Sequence, residues 1–565
     1  METINTAEGA GMRRRIPKTA AAPTPETKAT PPTSKPKTAV IMVHGMGEQR
    51  PLETIRSFVK GVYQSDLSKA TKPVPADGML EVSIVPDSAF NSAELRRLTT
   101  HDDGPNKRTD FFEFYWADIM DGTQVELVTA WIDGLLLRSP WRVPAHWRVY
   151  LAWLLLWALA LIFVFCAIAV AYPPLVDHIP VLNDILGWIN QNGQMIGKVF
   201  YVGGALLLCY VIISGLLTHR IETTSLQFPV LLLAGGAVLA LWPPDYPLEP
   251  HVLAAGVTAG VGWFMHNLAA PYIGDVVRYV RATPSTVERR KLVRQRGLEL
   301  LEAIHAKRAD STDLDDFVRA PRDNPPAYDR IVLVSHSLGT YVAYDMLQLF
   351  WEKYGPTHHQ TWQPGRPGVQ EALEAADAFV KMEWVNRQPN YPLSDYLTAQ
   401  ARLNALLESD APQWRITDFI TLGSPLVHAE FLATDGTADL EESFAQRRFA
   451  TCPPRPDPLL RSAIYSTVPN GAKYLHFAAQ FAAVKWTNIC DESLNPILGD
   501  LVSGRLRPIF GHGIDEHMVK INRPHRAWPF SRVFTHTEYW SWDESFRNNV
   551  PEHLKLLRAA LRLGQ

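Results

Sequence analysis

Between Ile331 and Phe350 the chain reads IVLVSHSLGTYVAYDMLQLF, and this stretch limits the possible folds more than any other. Ile331 to Val334 form a continuous apolar run of strand length, as a strand buried on both faces requires. From Leu338 onward apolar residues recur at helical spacing. Only a few residues separate the two patterns, so the backbone must pass from strand to helix across Ser335–Gly339. A turn that sharp needs small residues two positions before and two after its apex, and Ser335 and Gly339 fill those places around Ser337.

The rest of the polar chain repeats the alternation. TAVIMVHGMGEQ opens with a strand-like run, Ala39 to Val43, and continues into a helical stretch near Leu52 to Leu67. Strand-like LEVSIV and FFEFYWADI follow. Further on come a basic helix (Thr286 to Arg308), the Ile331 unit, ITDFITLGSPL, AAVKWTNIC and SRVFTHTEYW, the last with a strand-like start. Strands alternating with helices imply an α/β fold with a mostly parallel sheet covered on both faces. Neither polar piece has a full set of strands, so one domain assembled from both is expected, with two separate domains as the alternative.

Four long apolar runs separate the pieces: Val149–Tyr172, Val199–Leu217, Phe228–Trp242 and Val252–Ile273. About 20 apolar residues in a helix cross a bilayer core, so the runs predict about four spans. Arg138, Arg142, Arg148, His219, Arg220, Arg278 and Arg281 flank the spans on one side, whereas Pro243 to His251 has Asp245 and Glu249 and no Lys or Arg. The positive-inside rule then places the catalytic domain and both termini on the cytoplasmic side of a multi-pass integral membrane protein. The expected organisation is a disordered tail over 1–37, a first domain part over 38–140, a transmembrane insertion over 141–275 and a second domain part over 276–565.

Composition excludes little. The 55 basic and 58 acidic residues nearly balance, which gives no reason to expect nucleic-acid binding. Four cysteines without metal-ligand spacing predict neither a disulfide scaffold nor a metal site, and no cofactor is implied. Residues 1–37 contain no secretory apolar region.

A serine at a strand-to-helix turn is the arrangement of an activated nucleophile, because the turn exposes the hydroxyl and aims the helix's N-terminal N–H groups at a reacting carbonyl. The competing reading is an inert tight turn. A serine needs a base, and in this architecture an acid and then a histidine follow it in the chain. His536, after SRVFT, is the leading base, and His512 in FGHGID is the alternative. Asp491 and Asp500 are near-equal candidates for the acid that fixes the imidazole tautomer. Oxyanion donors are expected from the Leu338 N–H and from the loop after VIMVHG, at Met46 or Gly47.

Taken together, VHGMGEQ, SHSLGTYVAYDML, FITLGSPL, WTNICDESLNPILGDLVSG and FTHTEYWSWDE resemble the serine lipases and esterases of the α/β-hydrolase superfamily. The likeness is to DDHD-type intracellular phospholipases and to bacterial membrane-embedded α/β hydrolases, over short blocks in 38–120 and 328–546. It implies an α/β-hydrolase-like sheet and does not extend over the N-terminal tail or the four-helix transmembrane block, which is expected as an insertion in that sheet. Ser337 falls on the family's nucleophile and His536 on its base. Asp500-Leu-Val-Ser-Gly matches the acid's step best, with Leu501 where proline is usual, which favours Asp500 over Asp491. FITLGSPL is read as a structural turn. The expected activity is hydrolysis of a carboxylic ester, with a lipid or phospholipid as substrate and the bilayer as partner. Alternatives are an esterase for soluble esters, a non-catalytic scaffold with a hydrolase fold, and a transporter, the last disfavoured by spans almost without charge.

Overall fold

The computed structural model describes residues 37–45, 50–70, 78–87, 89, 95–100, 108–120, 132–143, 147–172, 180–217, isolated positions between 230 and 280, 281, 283–284, 286–307, 326–357, 368–410, 414–467, 469, 471–493, 498–500, 502–523, 532 and 535–563. Pro36–Gln565 form one of two units; the other, Met1–Lys35, lies outside the described residues, as does the tail expected over 1–37 apart from its last position.

Eight strands form one sheet: β1 (Thr38–Val43), β2 (Val82–Pro86), β3 (Arg96–Thr100), β4 (Thr109–Phe114), β5 (Arg330–His336), β6 (Ile416–Leu422), β9 (Lys485–Asp491) and β10 (Asp515–Val519). Their order is β10-β9-β6-β5-β1-β4-β3-β2. The pairs from β10 through β4 are parallel, while β4/β3 and β3/β2 are antiparallel, so the sheet is mixed. A small hairpin, β7 (Ile464–Ser466) and β8 (Lys473–Leu475), stands apart. β1 pairs with β4 on one side and with β5 on the other, in register Val43↔Ser335, so strands from both polar pieces share the sheet.

Side-chain alternation along the strands divides the core between two faces. Ala39, Ile41 and Val43 join Ile331 and Leu333 on one face. There they pack beneath α4 (Val287–Ala306), α5 (Gly339–Tyr354), α6 (Val369–Val380) and α7 (Leu393–Asp410). Val40, Met42, Val332 and Val334 face the other way, against α1 (Glu53–Val59) and α8 (Glu552–Leu561). Being covered on both faces is why β1 and β5 read as unbroken apolar runs.

The expected transmembrane insertion is corrected. Among the described residues no helix is long and apolar enough to cross a membrane, so neither the four-span block nor a multi-pass integral membrane protein with a fixed cytoplasmic side is supported. The first run falls in α2 (Trp147–Ala171), whose side chains at 147, 148, 152, 166, 169 and 170 lie outside the described set. Its opening turns are docked on the α/β body. Val149 and Trp153 pack with Val143 and Phe431, and the Trp153 indole donates to the Leu135 carbonyl at 2.9 Å. The second run is the end of α3 (Pro180–Leu217), a 38-residue helix that also contains Asp184, Asn190, Asn192 and Lys198. The third run is described only in part, and the fourth falls mostly outside the described residues. Hydropathy of a segment reports its composition, not whether a helix forms without interruption or docks on protein.

Candidate active site

The turn after β5 places Ser337 at φ 53°, a left-handed conformation uncommon for a side chain larger than glycine. Its N–H donates to the Leu422 carbonyl at 3.1 Å, and its own carbonyl accepts from the Thr340 hydroxyl at 2.8 Å, which pins the strained residue from both sides. Ser335, which stands where glycine is more usual, is accommodated because its hydroxyl donates to the Ile420 carbonyl on β6 at 3.2 Å. The turn also needs Gly339, since a Cβ there would run into the His44 carbonyl. Leu338 has helical angles, and its N–H has no partner among the described residues, as expected of a donor in a first helical turn. Gly45 lies directly against Ser337, while Met46 and Gly47 lie outside the described residues.

His536 sits in a short 3₁₀ turn, Thr535–Thr537; of the strand-like SRVFT before it, positions 531, 533 and 534 lie outside the described residues. Its Nδ1 is 2.9 Å from Asp500 Oδ1. Asp500 is 1% exposed, and it also accepts the Tyr539 hydroxyl at 2.7 Å and the Val502 N–H at 2.8 Å. Burial alone would raise the Asp500 carboxyl, but the hydrogen bond and charge of His536, with the Tyr539 hydroxyl and the Val502 N–H, hold it well below the usual range. The other ring nitrogen of His536, Nε2, is buried and has no hydrogen-bond partner among the described residues. No hydrogen bond joins it to the Ser337 hydroxyl. Such contacts are often long before a substrate is bound.

The link between serine and imidazole runs through His336, the residue directly before the serine. Its Nε2–H donates to the His536 main-chain carbonyl at 2.7 Å, and the two rings lie 4.8 Å apart. Burial, reinforced by the nearby His536, lowers the His336 pKa to about 3, so the ring is neutral and keeps a fixed tautomer. Trp540 meets it edge-on at 4.9 Å. The segment FITLGSPL, read as a structural turn, also touches the cluster. Gly423 has φ 59°, and a Cβ on it would approach Tyr539, His536 and Asp500 within about 3 Å. The His-x-x-Tyr-Trp spacing was the available signal for Tyr539 and Trp540; nothing in the sequence marked His336 or Gly423.

The two alternative residues lie elsewhere. Asp491, at the end of β9, binds the Arg532 guanidinium at 3.0 Å, the Thr535 hydroxyl at 3.0 Å and the Ser493 N–H at 2.8 Å. It braces the segment that carries His536 instead of touching the imidazole. His512 pairs with Glu383 at 2.8 Å, away from Asp500. Among the described residues no group of three His, Cys, Asp or Glu side chains could hold a metal ion.

A cavity of about 980 Å³ opens beside the cluster, with His44, Gly45, His336, Thr537 and Trp540 at that end. No family model, curated protein or solved structure matches this chain.

Proposed function

We propose that this chain is a serine hydrolase that cleaves a carboxylic ester through an acyl-enzyme. One observation carries the reading: an imidazole whose Nδ1 is held by a buried carboxylate and whose Nε2 is buried without a partner among the described residues lies 4.8 Å from the His336 ring, next in the chain to a serine at φ 53° on a strand-to-helix turn. In this reading the Ser337 hydroxyl attacks the ester carbonyl while its proton passes to His536 Nε2. Asp500 keeps the proton on Nδ1 and stabilises the imidazolium that forms. The Leu338 N–H, at the start of α5, and a second N–H from the loop after His44, expected at Met46, stabilise the oxyanion. His536 then protonates the leaving alcohol, and water activated by the same imidazole releases the acid. The Tyr539 hydroxyl and the Val502 N–H help keep Asp500 ionised.

The argument for a lipid substrate rested on the membrane insertion, so the proposal stops at ester hydrolysis. A fluorophosphonate probe tests it. The parent protein is expected to label at one site and Ser337→Ala to lose that label along with turnover of 4-nitrophenyl esters. Equal labelling of both proteins would refute the assignment.

A further inference from the structure

The cavity beside the cluster has two unlike walls. Along its floor run Glu53, Arg56, Ser57, Lys60 and Gln64, all on α1 and the π-helical turn that continues it. Residues three and four apart share a helix face, so these form one stripe, while Ile55, Phe58, Val59 and Val62 point into the core. Arg50 adds a third cation at the rim. The facing wall is apolar, built from Val82 and Ile84 of β2 and Leu98 of β3. The end wall holds His336 and Trp540.

Arg294, Arg296, Arg330, Arg447, Arg448, Arg455 and Arg532 each hold a carboxylate within 3.1 Å. By contrast, the side chains of Arg50, Arg56 and Lys60 make no ion pair or hydrogen bond among the described residues. Arg50, Arg56 and Lys60, with one carboxylate, Glu53, line a concave space that reaches His336 and Thr537, the chain neighbours of Ser337 and His536. Arg50, Arg56 and Lys60 are exposed and so within reach of a ligand, and guanidinium groups suit planar or tetrahedral oxyanions.

We infer that this cavity is a substrate subsite, and that the ester cleaved by this chain carries an anionic substituent, a carboxylate or a phosphate, held by Arg56 and Lys60 while its apolar part lies on the β2–β3 wall. The inference rests on the ester-hydrolase reading above and adds the charge of the substrate to it.

Two matched pairs of esters test it: 4-nitrophenyl valerate against 4-nitrophenyl hemiglutarate, and glycerol monobutyrate against its 3-phosphate. The expected result is a kcat/KM ratio, charged over neutral, of about ten or more at low salt in at least one pair. That ratio should fall towards one in Arg56→Gln/Lys60→Gln and in high salt. Because the ratio is internal to each protein, loss of folded material does not affect it. A preference in the first pair places the charge on the acyl side, and in the second on the alcohol side. Neutral esters favoured in both pairs, with the same ratios in parent and double variant, would overturn the subsite while leaving the hydrolase reading intact. If no ester is cleaved, that reading fails, and the subsite is judged by binding of glycerol 3-phosphate and glutarate through tryptophan fluorescence. A tenfold weaker Kd in the double variant supports it, and equal or absent binding refutes it.

Discussion

Glu113 lies in the middle of the β4 sequence TDFFEF with no exposed surface, and it offers a prediction about stability that does not depend on knowing the substrate. Its Oε2 accepts the Leu52 N–H at 2.7 Å, and the Ile55 N–H adds a second bond, so the carboxylate caps the N-terminus of α1. Its Oε1 is buried with no partner. Burial outweighs the two N–H groups, the Glu53 charge adds to it, and the pKa rises from 4.5 to about 7. One pKa unit is worth about 1.4 kcal/mol, so the rise corresponds to about 3 kcal/mol. The sign follows from proton binding. Between pH 4.5 and 7 the folded protein holds a proton that the unfolded chain has lost. This contribution is therefore complete below about pH 4.5 and disappears as pH rises through 7. Glu113→Gln has no such titration. Urea unfolding of both proteins between pH 4.5 and 8 should show the parent losing about 3 kcal/mol relative to the variant across that range. Burial also lowers the pKa of His44, His305, His336, His476 and His553, which work in the opposite direction; they are present in both proteins and cancel in the difference. A difference that does not change with pH would refute the argument, and so would one in which the variant is the protein that loses stability.

Four further variants separate the roles assigned around the site. Asp500→Asn should lower ester kcat by about 10³–10⁴-fold through loss of the correct tautomer. Asp491→Asn should mainly lower the melting temperature, because it loosens Arg532 and Thr535, and similar kinetic losses in the two would undo that distinction. His336→Phe keeps an aromatic ring but removes the donor to the His536 carbonyl; kcat should fall about tenfold with KM unchanged, and full activity would show the bond to be idle. Gly423→Ala forces a side chain to adopt φ 59° against Tyr539, so a destabilisation of about 1–3 kcal/mol is expected in urea unfolding.

The sequence by itself determined the features that are local. Strand, serine and helix at Ile331–Phe350 could be read directly, because a strand buried on both faces leaves an unbroken apolar run and a sharp turn demands small neighbours. The chain order of serine, acid and histidine also narrowed the candidates before any geometry. The choice between Asp491 and Asp500 was different: residue spacing left them near-equal, the resemblance leaned to Asp500, and it is the packing of the Asp500 loop against His536 and Tyr539 that puts that carboxylate on the imidazole. His336, Gly423 and Glu113 became visible only in three dimensions, since their partners lie 200, 113 and 61 positions away respectively in the case of His536, His536 and Leu52. The apolar runs between 149 and 273 show the limit from the other side, because hydropathy records what a segment is made of, whereas helix continuity and docking depend on what the rest of the chain places beside it.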